Sequence, residues 1–151
     1  MKIRQGTLSD IRALSELFEC YRSDNSPNLL GAKQFLSERI QKCESIIFVA
    51  EDLDGDLVGF VQLYPIFSSL KMKRQWLLND LFVVQSSRGQ GISVLLIERA
   101  KKLSRDTNAC GLILETSKLN TIGNNLYCKV GFELDEEYNH YSWNNEGKLL
   151  R

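Results

Sequence analysis

The segment Val83–Ser93, VVQSSRGQGIS, holds the densest chemical signal in the sequence. An apolar run ends there and a helix-periodic run begins, with Gly89 and Gly91 between them. Glycine accepts positive φ and puts no side chain between the backbone and a ligand. The first turn of a helix leaves N–H groups unpaired and carries partial positive charge, so glycines just before one make an anion site. Arg88 stands beside them and can neutralise a phosphate through two parallel bonds. The chemistry suggested is diphosphate binding by Arg88, Gly89, Gln90, Gly91, Ile92 and Ser93. A glycine turn that binds nothing is the alternative. The P-loop pattern GxxxxGK[ST] is absent, and a dinucleotide fingerprint would need a glycine where Val94 stands. Glu115, after the next expected strand, can imitate a ribose-binding acid, which leaves a nucleotide-binding domain of another class open.

Two further groups invite chemistry. Asn120, Gly123 and Tyr127 stand at i, i+3 and i+7, on one stripe of a short helix, with Ile122, Leu126 and Val130 as the adjacent apolar stripe expected to anchor it. Such a helix would present an amide, a gap and a phenol; a packed core tyrosine is the alternative for Tyr127. Asn79 and Asp80 are the polar pair inside the apolar run Trp76–Val84. Consecutive strand residues point to opposite faces unless a bulge intervenes. An unpaired carboxylate there is costly, so Asp80 needs a hydrogen-bonding partner or a task; fixing a bulge or capping a loop is the structural reading.

The elements that must position these groups follow from periodicity and turn residues. Lys2–Gln5 reads as a short strand. A helix capped by Thr7 or Ser9 follows, through Ile11, Leu14, Leu17, Phe18 and Tyr21. Ser23–Gly31 reads as a loop and Ala32–Lys42 as a second helix. Ile46–Glu51 and Leu57–Tyr64 form a hairpin about the turn Asp54-Gly55. After the expected loop PIFSSLKMKR comes the strand Gln75–Val84, apolar on both faces and therefore central. Then come a helix Ile92–Thr107, a strand Leu112–Glu115, a short helix Ile122–Lys129 and a last pair of strands, Phe132–Leu134 and Tyr138–Trp143. The order β-α-α-β-β-β-α-β-α-β-β is that of an α/β domain with a mixed central sheet and about four helices.

Bulk properties narrow the classes. A chain of 151 residues suits one domain, 1–151. Nineteen basic residues balance nineteen acidic ones, so no electrostatic reason for a nucleic-acid partner exists. The start, MKIRQGTLSD, lacks a signal-peptide apolar stretch, and no apolar run suits a bilayer, so a cytoplasmic location with no membrane partner is expected. Cys20, Cys43, Cys110 and Cys128 are scattered and His140 is the only histidine, so reduced thiols and no metal site are expected. The acidic run Glu133, Asp135, Glu136 and Glu137, and the cations Lys71, Lys73 and Arg74, read as solvated surface.

With these residues in view, the chain resembles the GCN5-related N-acetyltransferase superfamily. Ser86-Ser87-Arg88-Gly89-Gln90-Gly91 is similar to that family's [Q/R]xxGx[G/A] loop, with Ser86 departing at the first position. Asn120, Gly123, Tyr127, Gly131 and Phe132 match its Nxx[A/G]xxxYxxxGF pattern, and the element order matches over nearly the whole chain. Leu78–Phe82, LNDLF, looks like the diamine, polyamine and histone-type subgroup. The resemblance implies an acyl-CoA N-acyltransferase fold and an enzyme that moves the acetyl group of acetyl-CoA directly to a primary amine. It implies that the loop grips the CoA diphosphate and that Asn120, Gly123 and Tyr127 flank the pantetheine. Tyr127 would protonate the departing thiolate. A backbone N–H among Leu81, Phe82, Val83 and Val84 would steady the oxyanion. Family analogy also implies a homodimer. A primary amine of pKa ~10.4 must lose a proton first, at a cost of about 4.6 kcal/mol at neutral pH. The subgroup often carries an acid where Asn79 stands; an amide cannot be a base, which points to Asp80 or a water chain. A catalytically silent acyl-CoA-binding module is the remaining alternative.

Overall fold

The computed structural model describes residues 1–22 and 26–145. The chain divides into two units, Met1–Glu115 and Thr116–Arg151, described separately below.

The first unit is a five-stranded sheet in the order β1-β2-β3-β4-β5. Its strands are β1 (Lys2–Gln5), β2 (Ile46–Glu51), β3 (Leu57–Ser68), β4 (Lys73–Val83) and β5 (Leu112–Ile113). The first four run antiparallel to their neighbours, and β5 lies parallel to β4, so the sheet is mixed as expected. Helices α1 (Ile11–Arg22) and α2 (Leu29–Gln41) join β1 to β2, and α3 (Ile92–Asp106) joins β4 to β5. Leu14 and Leu17 of α1 and Leu36 of α2 bury against Ile47, Val49 and Phe60 on one face of the sheet. On the other face, the guanidinium of Arg99 in α3 lies 4.1 Å from the ring centre of Phe48. The Trp76 indole N–H donates to Thr107 just past α3 at 2.9 Å. β4, expected to be central, is the fourth of the five strands, and it is covered on both faces by α1 and α3.

Three expectations need correction in this unit. The loop expected at PIFSSLKMKR is mostly strand, because β3 runs on to Ser68 and β4 begins at Lys73. Pro65 had argued for a stop, since proline cannot donate to a ladder. Its pair is Trp76, whose N–H turns away from β3 to Gly111 O at 3.0 Å. The nitrogen of Pro65 correspondingly faces the other edge of β3, which β2 accompanies only as far as Leu63, so no hydrogen bond is lost. Second, α2 starts at Leu29 rather than Ala32: Asn28 caps it, its Oδ1 accepting the N–H of Gly31 at 2.9 Å. Of the expected loop Ser23–Gly31, residues 23–25 lie outside the described residues. Third, β5 stops at Ile113 rather than Glu115.

The second unit holds α4 (Thr121–Lys129). The strands expected at Phe132–Leu134 and Tyr138–Trp143 are not formed. Asp135 instead makes a turn, its Oδ1 accepting the N–H groups of Glu137 at 3.0 Å and Tyr138 at 3.2 Å. A short aspartate competes in this way with a ladder for backbone donors. Ile122, expected in an anchoring stripe, is 82% exposed; Leu126 and Val130 are half-buried.

Candidate active site

The chain leaves β4 through a single 3-10 turn, Gln85–Ser87, and reaches α3 across Gly89 and Gly91. Both glycines are left-handed, with φ of 76° and 78°, and a Cβ on either would meet nothing within 4 Å. Glycine is therefore required here by backbone conformation, and the space beside it is open. Gly91 is the N-cap of α3 and supplies no side-chain bond. Its carbonyl accepts the first helical bond, from Leu95 N–H at 3.1 Å. Among the described residues, nothing accepts from the N–H groups of Ile92, Ser93 and Val94. The end of a 15-residue helix thus stands uncapped and partially positive beside solvent.

Arg88 is aimed by its own neighbourhood. Its Nε donates to the carbonyl of Val83 at 2.9 Å, and its guanidinium lies 5.8 Å from the Phe82 ring centre. Among the described residues its terminal nitrogens make no hydrogen bond. A side chain fixed at Nε and open at its fork is a cation ready for phosphate oxygens.

The strand before the loop has a free edge. β5 accompanies β4 only at Trp76 and Leu77, and no described strand pairs the same side of β4 from Leu78 to Val83. Leu81, Phe82 and Val83 therefore sit on an edge that can bond a ligand's amide groups or an oxyanion, and Val84 N–H is turned back to Val58 O at 2.9 Å.

Asp80 lies on that stretch, at a bulge. Gln62 pairs with Asp80 and the next residue, Leu63, pairs with Leu78, so Asn79 is the extra residue of β4. Asn79 is exposed and Asp80 is 5% exposed. The carboxylate accepts from Gln62 Nε2 at 2.7 Å and from Asn79 Nδ2 at 3.0 Å. Gln62 is itself completely buried, and its Oε1 accepts from the Ser45 hydroxyl at 2.9 Å. Tyr64, two residues on along β3 and half-buried, belongs to the same face. Burial first and the Asp80 charge second push its phenol up to about 12, so it stays protonated at neutral pH. Ser45 and Gln62 were missed by the sequence reading. Gln62 had one visible signal: it is the lone polar residue in the apolar run Leu57–Tyr64. A cavity of about 360 Å³, lined in part by Gln5, Cys43, Pro65, Arg74 and Trp76, contains neither the glycine loop nor Asp80.

In the second unit, Asn120 is the N-cap of α4. Its Oδ1 accepts from Gly123 N–H at 3.0 Å and its Nδ2 donates to Thr116 Oγ1 at 2.9 Å. A Cβ on Gly123 would fall 2.4 Å from Asn120 Nδ2, so the glycine makes room for the cap. Tyr127 is half-buried, its ring centre 5.8 Å from that of Phe132, and burial raises its phenol above the ordinary tyrosine range.

A mixed sheet whose fourth strand leads into an uncapped, arginine-flanked helix start is the arrangement of an acyl-CoA N-acyltransferase fold. Residues 11–132 match the model of the acetyltransferase (GNAT) family. The chain is 41% identical to YhfO, an uncharacterized N-acetyltransferase of Bacillus subtilis (strain 168), over 95% of this chain and 97% of that one. A crystal structure of a probable acetyltransferase, 36% identical, superposes with a TM-score of 0.90 over 95% of this chain and 97% of that one. A predicted acetyltransferase of Clostridium acetobutylicum, solved with acetyl-CoA, shares the fold at a TM-score of 0.77 and 17% identity, over 93% and 95% of the two chains. The chain belongs to the acetyltransferase (GNAT) family and is an acetyl-CoA-dependent N-acetyltransferase. No helix among the described residues is long and apolar enough to cross a membrane.

Proposed function

We propose that this enzyme transfers the acetyl group of acetyl-CoA to a primary amine of a small molecule or peptide, as one functional domain over residues 1–151, in the cytoplasm and as a homodimer. The observation that carries the reading is the uncapped start of α3 with Arg88 beside it, at the end of a β4 whose edge is free. Arg88, Gly89, Gln90, Gly91, Ile92 and Ser93 hold the diphosphate. Leu81, Phe82 and Val83 carry the backbone that steadies the cofactor and the oxyanion, whereas the N–H of Val84, expected among them, is taken by Val58 O. Asn120 and Gly123 set the start of the helix that carries Tyr127.

Asp80, directly or through one water, takes a proton from the substrate ammonium. The neutral nitrogen attacks the thioester carbon, forming the C–N bond, and the C–S bond breaks as the intermediate collapses. Tyr127 gives its proton to the departing thiolate and recovers one from the acetylated nitrogen, so one proton is released per turnover through Asp80.

The test pairs binding with turnover. Acetyl-CoA and CoA are expected to raise the melting temperature while NAD and ATP do not; stabilisation by NAD or ATP alone overturns the reading. Thiol release is then measured over polyamines, amino acids, aminoglycosides and lysine peptides. Tyr127→Phe is expected to cut kcat by about 100-fold with CoA affinity kept, and an unchanged kcat removes its acid role.

A further inference from the structure

We propose that Gln62, anchored by Ser45, is a positioning residue that aims the Asp80 carboxylate at the incoming amine. The inference rests on the reading of Asp80 as the proton acceptor and adds how the fold readies it.

A completely buried glutamine in the middle of a sheet needs a reason, because each unpaired polar atom there costs about 1–3 kcal/mol. Gln62 has every reason on one side: its amide N–H meets Asp80 Oδ2 at 2.7 Å and its carbonyl receives the Ser45 hydroxyl at 2.9 Å. Turning the amide over would set its oxygen against a carboxylate oxygen and its NH2 against the hydroxyl. The carboxylate, which can only accept, selects the orientation shown, and the Ser45 hydroxyl, which can donate or accept, satisfies the amide oxygen that results. The second carboxylate oxygen is held by Asn79, the bulge residue, at 3.0 Å. Without the bulge, Asn79 and Asp80 would alternate on a regular strand, and the two donors would not converge on one carboxylate.

The choice of donors matters for chemistry. Among the described residues no lysine, arginine or histidine forms an ion pair with Asp80. A cation would cancel the charge that an ammonium must find, whereas two neutral amides orient the carboxylate and leave it. Each oxygen keeps a further lone pair for a proton or a water. Tyr64, protonated on the same face, adds no competing charge. The result is a fixed, uncancelled acceptor beside the free edge of β4.

The experiment contrasts acceptors by their need for a base. The fastest alkylamine of the panel is compared with its counterpart in which O–NH2 replaces CH2–NH2, an aminooxy group that is already neutral at pH 7. Gln62→Met keeps the volume and removes the amide. It is expected to lower kcat about 10-fold for the alkylamine and less than about two-fold for the aminooxy compound, with the KM for acetyl-CoA unchanged. Ser45→Ala is expected to show a smaller loss of the same pattern. Equal losses for both acceptors, or none, overturn the positioning role. Crystal structures of both variants give a readout independent of turnover: a rotated Asp80 carboxylate supports the role, and an unmoved one overturns it. Should Asp80→Asn turn over the alkylamine at full rate, the base reading falls instead, whatever Gln62 does.

Discussion

Two ways of starting a helix coexist in this chain. At α2 and α4 the start is closed by the same four-residue device: Asn28-Leu29-Leu30-Gly31 and Asn120-Thr121-Ile122-Gly123 each place an asparagine oxygen on the glycine N–H. In both, a Cβ on the glycine would fall 2.4 Å from the asparagine nitrogen. Before α1, the N–H of Thr7 is taken by Asp10 Oδ2 at 2.8 Å. At α3 the N-cap is a glycine with no side chain to offer, and among the described residues nothing accepts from the first three N–H groups. A fold that closes its helix starts as routine leaves one open only where something else is to fill it. Capping is worth about 1 kcal/mol, so the open end forgoes local stability that the proposed diphosphate would restore.

The largest effect comes from closing the open end. Gly91→Asp puts a carboxylate where the proposed diphosphate would sit, in a left-handed position that aspartate tolerates better than most residues. CoA affinity is expected to fall by about 100-fold or more, near 2.7 kcal/mol, with the melting temperature changed little. Isothermal titration reads the first and a thermal scan the second. Retained affinity would mean that the helix end is not the anion site.

Arg88→Ala sharpens the same contrast with a smaller loss. A charge-assisted bond contributes about 1.5–3 kcal/mol, so CoA affinity should drop roughly 10- to 100-fold, and more at low salt than at high salt. An equal loss for CoA and for dephosphorylated pantetheine would place Arg88 away from the phosphates.

The open end was legible from sequence because every part of it is local: two glycines, an arginine and a change of period within a few residues. The closed ends were less so. Gly31 read as loop, although it is the third residue of α2, because its need is for space beside Asn28 and not for a turn. Pro65 read as a strand stop, although the edge it faces has no partner to lose. Asp80 was recognised as needing a partner, but Gln62 could not be chosen for it: a bulge shifts the register by one residue, and periodicity within a strand carries no information about its neighbour. The unformed pair at 132–143 is the converse error, strands expected where Asp135 takes the backbone donors for a turn.

The closed ends make a quantitative claim about stability. Asn28→Ala should cost about 1 kcal/mol, or about 2–4 °C in melting temperature, with CoA affinity unaltered. Gly31→Ala should cost at least as much, by driving a methyl group into the Asn28 amide. The double variant removes both the cap and the clash, so its loss should be well below the sum of the singles. Simple additivity would show that glycine and cap are independent.

The smallest effect concerns the carboxylate before α1. Arg4 grips Asp10 with two bonds, at 2.8 and 2.9 Å, and with the Thr7 N–H holds its carboxyl down at about 2, from an ordinary 3.8. A carboxyl depressed in the folded state stabilises above its unfolded value and loses that contribution as the pH falls through its folded one. Stability should therefore be fully present above about pH 4 and decline toward pH 2. Because the pair borders solvent, the amount is discounted to about 1 kcal/mol or less. Urea titrations at pH 5 and pH 2.5 should show a larger acid loss for the wild type than for Asp10→Asn, which keeps an acceptor for Thr7 but no charge for Arg4. Equal losses would mean that this helix start, like the two closed by neutral asparagines, draws nothing from charge.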